Sequence, residues 1–179
     1  MPDFLGHKII DVTFESIINQ TVQRSLNYKT IVSAHNAQYW KFFITLRLSA
    51  HVTPENAVAS FAQVSGMGYD TFEFPVPQAP YRGSQTAFAG SGAKDATTVS
   101  VSGGEHIPVG RFVTFGSHKK LYAVTAASGG SISVFPRLQM RVSGAINIDP
   151  VMQAMYEGIS TLVFSGGVGV PTIQMAEVL

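Results

Sequence analysis

The sequence has no cysteine and few charged side chains. Without cysteine, neither disulfides nor thiolate metal sites can form. Charged residues make up 13 % of the chain, where about 25 % is usual. A surface this poor in charge favours a subunit that is covered by its neighbours in an assembly. The net charge of +1 also leaves no field that would steer the whole molecule to nucleic acid or to anionic membranes.

Long apolar runs are absent as well. No segment approaches the roughly 18 uninterrupted apolar residues of a membrane helix. Residues 1–10 lack the apolar core of a signal peptide. We therefore expect no membrane insertion. The 45 % hydrophobic content excludes disorder and predicts a single folded domain over residues 1–179.

The known catalytic patterns are also missing. The sequence contains neither a Gly-x-Ser-x-Gly elbow nor a His-Glu-x-x-His zinc pair. The segment from Gly90 to Lys94 lacks the spacing of a phosphate-binding loop, and Gly166 to Gly169 lacks that of a dinucleotide loop. Five histidines are scattered along the chain: His7, His35, His51, His106 and His118.

The eleven acidic residues are also thinly spread, and a glycosidase pair that forms between two of them in space stays an open alternative. We predict no catalytic residue, no cofactor and no metal site, and hence a protein that is not an enzyme.

The clearest positive signal is alternation with a period of two. Residues 39–48 place Trp40, Phe42 and Ile44 on one face, which is typical of a half-buried strand. Residues 11–26 are strand-like, and His35-Asn36 is a turn-type pair before the next strand. Further short strands follow in residues 71–74, 96–102, 111–115, 121–125, 131–135 and 138–148, and residues 161–179 contain two weak strands around Gly166-Gly167.

Two segments interrupt these strands. Thr53, Pro54 and Glu55 form a good helix start, which predicts one short helix over residues 53–65. Residues 81–94 are rich in Gly, Ser and Ala and predict a long loop. The predicted fold is thus mainly β with one short helix, built as an antiparallel sandwich or barrel.

Two smaller features have alternative interpretations. Trp40 and Phe42 are either core residues or a stacking platform for bases, and the core is the commoner role on an alternating strand. The triplet His118-Lys119-Lys120 is either a solvated hairpin tip or a phosphate contact.

The order of several motifs resembles a family of bacteriophage tail proteins. Ala37-Gln38-Tyr39-Trp40-Lys41-Phe42 precedes the predicted helix, and Phe72-Glu73-Phe74-Pro75 follows it. The block from Val109 to Leu138 then provides a Lys-x-Tyr-x-Val strand at Lys120 to Val124 and a Pro-x-Leu ending at Pro136 to Leu138. The chain is similar over residues 10–150 to proteins at the tube–baseplate junction, of the distal-tail or tail-tube-initiator type. It departs at Arg111, where an acidic residue is common, and in residues 151–179, which are expected to be a C-terminal extension.

The resemblance implies a mechanical role. Subunits would close into a six-fold ring in the virion tail, with sheets joined edge to edge around a channel. Partners would be copies of the chain itself, the neighbouring tail tube and baseplate hub proteins, and DNA in transit, with assembly in the host cytoplasm. Residues 11–48 and 81–94 are the predicted contacts between subunits. The alternative is a carbohydrate- or receptor-binding module of a tail tip, and a small hydrolase is the third hypothesis.

Overall fold

The structure, a computed structural model, describes residues 3–4, 7–24, 30–47, 71–83, 87–116, 118–165 and 168–178. These residues form antiparallel β structure, which confirms the predicted fold class. The predicted helix over 53–65 lies outside the described residues. Within them, the helical element is a 3₁₀ helix at Gly104–His106.

The described strands divide into two sheets. In chain order they are β1 Asp3–Phe4, β2 His7–Arg24, β3 Thr30–Arg47, β4 Thr71–Pro75, β5 Phe88–Gly92, β6 Thr98–Val101, β7 Phe112–Phe115, β8 His118–Ser128, β9 Ser131–Phe135, β10 Val142–Asn147, β11 Val151–Ser165 and β12 Val168–Glu177. The first sheet has the order β1-β2-β3-β12-β11-β4, and the second is a closed barrel in the order β10-β5-β6-β9-β8-β7.

Strand β3 shows why the sequence folds this way. Trp40, Phe42 and Ile44 alternate with half-buried Lys41 and Phe43, so one face of the sheet is buried and the other remains partly open. The prediction of a strand in this region is confirmed. The predicted turn at His35-Asn36 is wrong, because β3 runs through it. Ile18 of β2 pairs with Gln38 and Gln20 pairs with Ala34, so the register shifts between these two pairs. His35 and Asn36 lie within this shift, which is an irregularity in the strand and not a turn.

The barrel is an insertion between two neighbouring strands of the sheet. Residues 76–150 leave the end of β4 and return at the start of β11, and β4 and β11 pair with each other. The backbone N–H of Val76 donates to the carbonyl of Pro150 at 3.1 Å, which closes the base of the insertion.

Arg111 holds this base together. Its buried guanidinium donates to the carbonyls of Ile148 at 2.7 Å and Ala79 at 2.8 Å, and it pairs with Asp149. The basic residue at this position therefore satisfies buried carbonyls and a carboxylate that an acidic side chain would repel.

Each sheet has its own core. The barrel encloses Tyr122, Phe115, Leu138 and further apolar side chains. The other core lies between the sheet and the outside of the barrel, where Phe42 and Phe74 of the sheet meet Phe112 and Leu121 of the barrel. The barrel thus covers one face of the sheet, and no other described element covers the opposite face.

The segment 81–94 is not a long loop, because β5 occupies residues 88–92 and pairs with both β6 and β10. Its small residues reflect close packing. A Cβ at Gly92 would lie 2.6 Å from Cδ1 of Leu138, and one at Gly90 would lie 2.9 Å from Cδ1 of Ile146.

The C-terminal segment is also part of the fold. Residues 151–177 form β11 and β12, which lie inside the six-stranded sheet between β3 and β4. A peripheral extension is therefore the wrong description of these residues. The apolar, glycine-rich composition that set them apart belongs to two paired strands.

Candidate assembly edges

The described histidine side chains, which are the commonest catalytic and metal-binding groups, lie apart from one another. His7 begins β2, His106 ends the 3₁₀ helix and His118 begins β8. No group of three His, Asp or Glu side chains in the described part of the chain is placed to hold a metal ion. Glu105 Oε1 lies 3.7 Å from His106 Nε2, on the exposed surface of the short helix.

The basic triplet of β8 mainly holds the barrel onto the sheet. Lys120 is buried and pairs with Glu177 of β12, while Lys119 reaches Glu73 of β4 at 3.3 Å on the surface. The hairpin-tip interpretation is therefore wrong for Lys120. Because both ammonium groups face carboxylates of the sheet, they balance charge within the molecule.

Glu177 is the polar centre of this joint. Its carboxylate accepts the backbone N–H of Leu121 at 2.6 Å and that of Trp40 at 3.2 Å, besides pairing with Lys120. The indole Nε1 of Trp40 donates to the carbonyl of Leu121 at 3.1 Å. Burial raises the pKa of the Glu177 carboxyl and lowers the pKa of Lys120, while their mutual attraction opposes both shifts.

The outer edge of β2 is open over most of its length. Strand β1 pairs only with His7 and Lys8. Over residues 9–24, no described strand lies on that side of β2. Backbone N–H and C=O groups along an open edge form a template for a further strand.

The opposite side of the sheet has a second open edge. Strand β4 pairs with residues 151–155 of β11, which leaves residues 156–165 of β11 without a neighbour on that side among the described strands. The pairs β2–β3, β3–β12 and β12–β11 are all antiparallel. The two open strands therefore run in opposite directions.

Exposed apolar side chains accompany the β2 edge. Phe14 is 50 % exposed, and its ring lies 5.5 Å from Phe112 and 6.1 Å from Phe42, on the face that the barrel covers. Ile18 lies farther along the same face and is also exposed, as is Phe135 of the barrel next to Trp40. This set, Phe14, Ile18 and Phe135, is called the edge stripe below. An isolated subunit leaves it in water.

The face of the sheet away from the barrel carries paired polar side chains beside apolar ones such as Phe43. Lys41 pairs with Glu157 at 2.7 Å, and Gln174 donates to the same carboxylate at 2.8 Å. The hydroxyls of Thr45 and Thr172 lie 3.3 Å apart. Charges on this part of the face are thus partnered. Residues 16–54 contain no Asp or Glu, so β3 itself contributes no carboxylate to this face.

Of the two segments predicted to make contacts between subunits, one contains an open strand edge and the other does not. Residues 11–48 contain the open edge of β2 and most of the edge stripe, whereas β5 within residues 81–94 is enclosed by barrel strands on both sides. Sequence reasoning missed the β11 edge and the role of Glu177. The signal for β12 was present in the alternation of Thr172 and Gln174 with Ile173 and Met175.

Neither the models of protein families nor the curated proteins contain a significant match to the chain. No helix in the described ranges is long and apolar enough to cross a membrane.

Proposed function

We propose that this protein is a structural subunit of a phage tail, which forms a ring at the distal tube or baseplate, joins the tail tube to the tip complex and lets DNA pass. The observation that carries the proposal is the pair of open edges on opposite sides of one sheet, β2 and β11. The motif order in residues 10–150 supports the same role. Its setting is the virion tail, next to tube and baseplate hub proteins.

The strand directions suit a ring. Because β2 and β11 run in opposite directions, a copy rotated about an axis along the strands brings its β2 antiparallel to β11 of the first. Such a contact is heterologous, joining two different surfaces, and repeated rotation closes a ring without unpaired edges. Each subunit then adds β2, β3, β12 and β11 to one continuous antiparallel wall. Six-fold closure is the symmetry that the motif resemblance implies.

The two faces of the sheet suit opposite sides of that wall. The barrel covers one face and fits the outside of the ring, where there is room for it. The other face carries partnered charges and hydroxyls, such as the Lys41–Glu157 pair. In the middle of this face the ammonium group of Lys41 is paired, so that part offers phosphate groups no strong contact, whereas Lys8 and Arg47 lie exposed on the same face near the ends of β2 and β3.

The edge stripe gives the contact its apolar part. A neighbouring subunit beside β2 would remove Phe14 and Ile18 from water in addition to pairing backbone groups. Burial of apolar side chains together with strand addition fits the charged fraction of only 13 %, because a surface covered by neighbours needs few charges.

Electron microscopy and light scattering of the purified protein test the proposal. We expect rings or short tubes for the wild type and for Val109→Lys, which places a charge on an exposed apolar site of the barrel. The double variant Phe14→Lys/Ile18→Lys is expected to remain a folded monomer. A wild type that stays monomeric at every concentration would sink the proposal.

A mixing experiment tests the heterologous geometry. Phe14→Lys and Phe14→Glu are each expected to be monomeric, and their equimolar mixture is expected to stay so, because β2 meets β11 and not another β2. Recovery of assembly in the mixture would indicate a two-fold contact between β2 edges and would contradict ring closure.

A further inference from the structure

The inserted barrel and the rest of the chain carry opposite net charges. Residues 76–150 contain seven basic and three acidic side chains, a net of +4, while the remaining residues sum to −3. Three of the seven are used within the fold, because Arg111 pairs with Asp149, Lys119 with Glu73 and Lys120 with Glu177. The other four basic side chains of the barrel are exposed and have no ion pair among the described residues.

Three of these four lie at one end of the barrel. The turn containing Lys94 is bonded to the loop containing Arg137, since Asp95 N donates to Leu138 O at 2.8 Å and Leu138 N to Ala96 O at 2.9 Å. Arg141 directly precedes Val142, which pairs with Gly92 just before the same turn. One carboxylate, Asp95, lies in this cluster. Lys94, Arg137 and Arg141 are called the basic end below.

A groove of about 500 Å³ runs from the basic end along the outside of the barrel. Arg141 is the charged side chain in its lining, and Ser91, Thr98 and Ser100 contribute hydroxyls. The rest of the lining is formed by Gly92, Ala93 and Ala96, so the backbone is accessible. The groove therefore combines cationic and hydroxyl donors with a surface that has no aromatic ring in its lining.

We propose that the basic end and its groove bind a phosphodiester polymer of polyol or sugar units. The guanidinium groups of Arg137 and Arg141 suit phosphate oxygens, and the serine and threonine hydroxyls suit the hydroxyls of the repeating unit. A single-stranded nucleic acid calls for aromatic stacking platforms, which the lining lacks. A neutral glycan would make no use of three unpaired cations. The site is built from barrel residues and contains none of the edge stripe, but Arg137 lies only two residues from Phe135, so binding is also measured on a variant that does not assemble.

Binding of the full chain to an immobilised short oligomer of glycerol phosphate tests this site. The assay uses the monomeric Phe14→Lys/Ile18→Lys variant as well as the wild type, so that assembly does not affect the result. We expect saturable binding that weakens as salt is added. The triple variant Lys94→Gln/Arg137→Gln/Arg141→Gln is expected to bind at least about tenfold more weakly. Arg82→Gln, on the segment next to Tyr81 and Phe88 at the other end of β5, is the matched control and is expected to bind as the wild type.

The comparison probes decide between chemistries. Uncharged polyglycerol of the same length is expected not to bind, and equal binding would overturn the role of the basic end. A DNA oligonucleotide that binds as tightly as glycerol phosphate would overturn the assignment to a polyol polymer, as would a triple variant with unchanged affinity. All substituted residues are exposed, and thermal unfolding of each variant at the wild-type temperature verifies that the fold is intact.

Discussion

The barrel and the sheet satisfy their backbones in different ways. Every barrel strand has a neighbour on both sides, so the insertion has no open edge. The sheet has open edges on β2 and β11 within the described residues, and its strands reach far beyond the part that the barrel covers. A closed sheet completes its hydrogen bonding alone, whereas an open one completes it with a partner. The barrel strands are thus all paired within the insertion, whereas the described sheet has the edges on which the proposed assembly depends.

Residue size separates the two regions as well. Barrel strand β5 reads Phe-Ala-Gly-Ser-Gly, and the tight contacts at Gly90 and Gly92 show that side chains there would collide with the barrel interior. The long strands of the sheet carry large side chains on both faces, such as Phe42 and Phe43 on opposite sides of β3. Small residues therefore allow the barrel to close, and large ones are left available for contacts at the open face and edges.

The largest expected effect comes from opening the barrel. Deletion of residues 81–94 removes β5, which pairs with β6 and β10, together with the core residue Phe88, and so exposes the barrel interior that they cover. We expect the barrel to lose its cooperative unfolding and its near-ultraviolet circular dichroism. The control is Lys94→Gln, which alters the same segment without removing a strand. A deletion variant that unfolds cooperatively at the wild-type temperature would show that the barrel tolerates an open edge.

A second prediction concerns the residue that joins the two regions. Trp40 is 7 % exposed and packs against Phe112 and Phe135, with ring centroids 5.0 and 5.9 Å away. We expect Trp40→Ala to lower the free energy of unfolding by about 3–5 kcal/mol, measured by urea denaturation. Phe14→Ala, at the half-exposed edge, is expected to cost about 1 kcal/mol in the monomer. A near-neutral Trp40→Ala would move Trp40 from the core to an interface.

The sequence predicted individual half-buried strands better than it predicted which strands pair in the sheets. Alternation along β3 predicted Trp40 and Phe42 on one face, because burial of one face imposes a period of two on any half-buried strand. It did not reveal β5, since glycine and serine indicate a turn when the packing that requires them lies far away in the sequence.

The sequence predicted the segment that contains the β2 edge, but not the edge itself and not the role of Glu177. The β2 edge lies within residues 11–48, but an open edge is a missing neighbour, and no pattern in β2 itself reports which strands lie beside it. Glu177 was invisible for a similar reason. Its partners Trp40, Lys120 and Leu121 come from two distant strands, and the topology alone brings them together.

A third prediction compares the two ion pairs that hold the barrel on the sheet. The side chains of Lys120 and Glu177 are 2 % and 1 % exposed, whereas those of Lys119 and Glu73 are 61 % and 68 % exposed. Lys120→Met leaves a carboxylate buried without its cation, so we expect a loss of about 3 kcal/mol in unfolding free energy. Lys119→Met is expected to cost less than about 1 kcal/mol, because water screens the exposed pair.

Double-mutant cycles separate each pair from its surroundings. Combining Lys120→Met with Glu177→Gln is expected to give a coupling energy of about 1–3 kcal/mol, and combining Lys119→Met with Glu73→Gln one close to zero. Equal coupling energies in the two cycles would mean that burial does not determine how strongly these ion pairs stabilise the contact between barrel and sheet.

The smallest expected effect is a pH dependence at the start of β8. Burial, and secondarily the charge of Lys120, lowers the pKa of His118, whose Nε2 lies 3.4 Å from the hydroxyl of Tyr122. A histidine with a folded-state pKa below its unfolded value of about 6.5 contributes stability above that pH, and the contribution is lost as the pH falls through the folded-state pKa. We therefore expect the wild type to lose more thermal stability than His118→Gln between pH 7 and pH 5. Measuring the protein with His118 and the His118→Gln variant, both in the Phe14→Lys/Ile18→Lys background, isolates the monomer. Because the two proteins differ only at His118, the titration of Glu177 and of exposed groups cancels in the difference. If the thermal stability of the wild type and of the variant changed equally with pH, His118 would be solvated in the folded state. The start of β8 would then be more accessible to water than its strand pairing indicates.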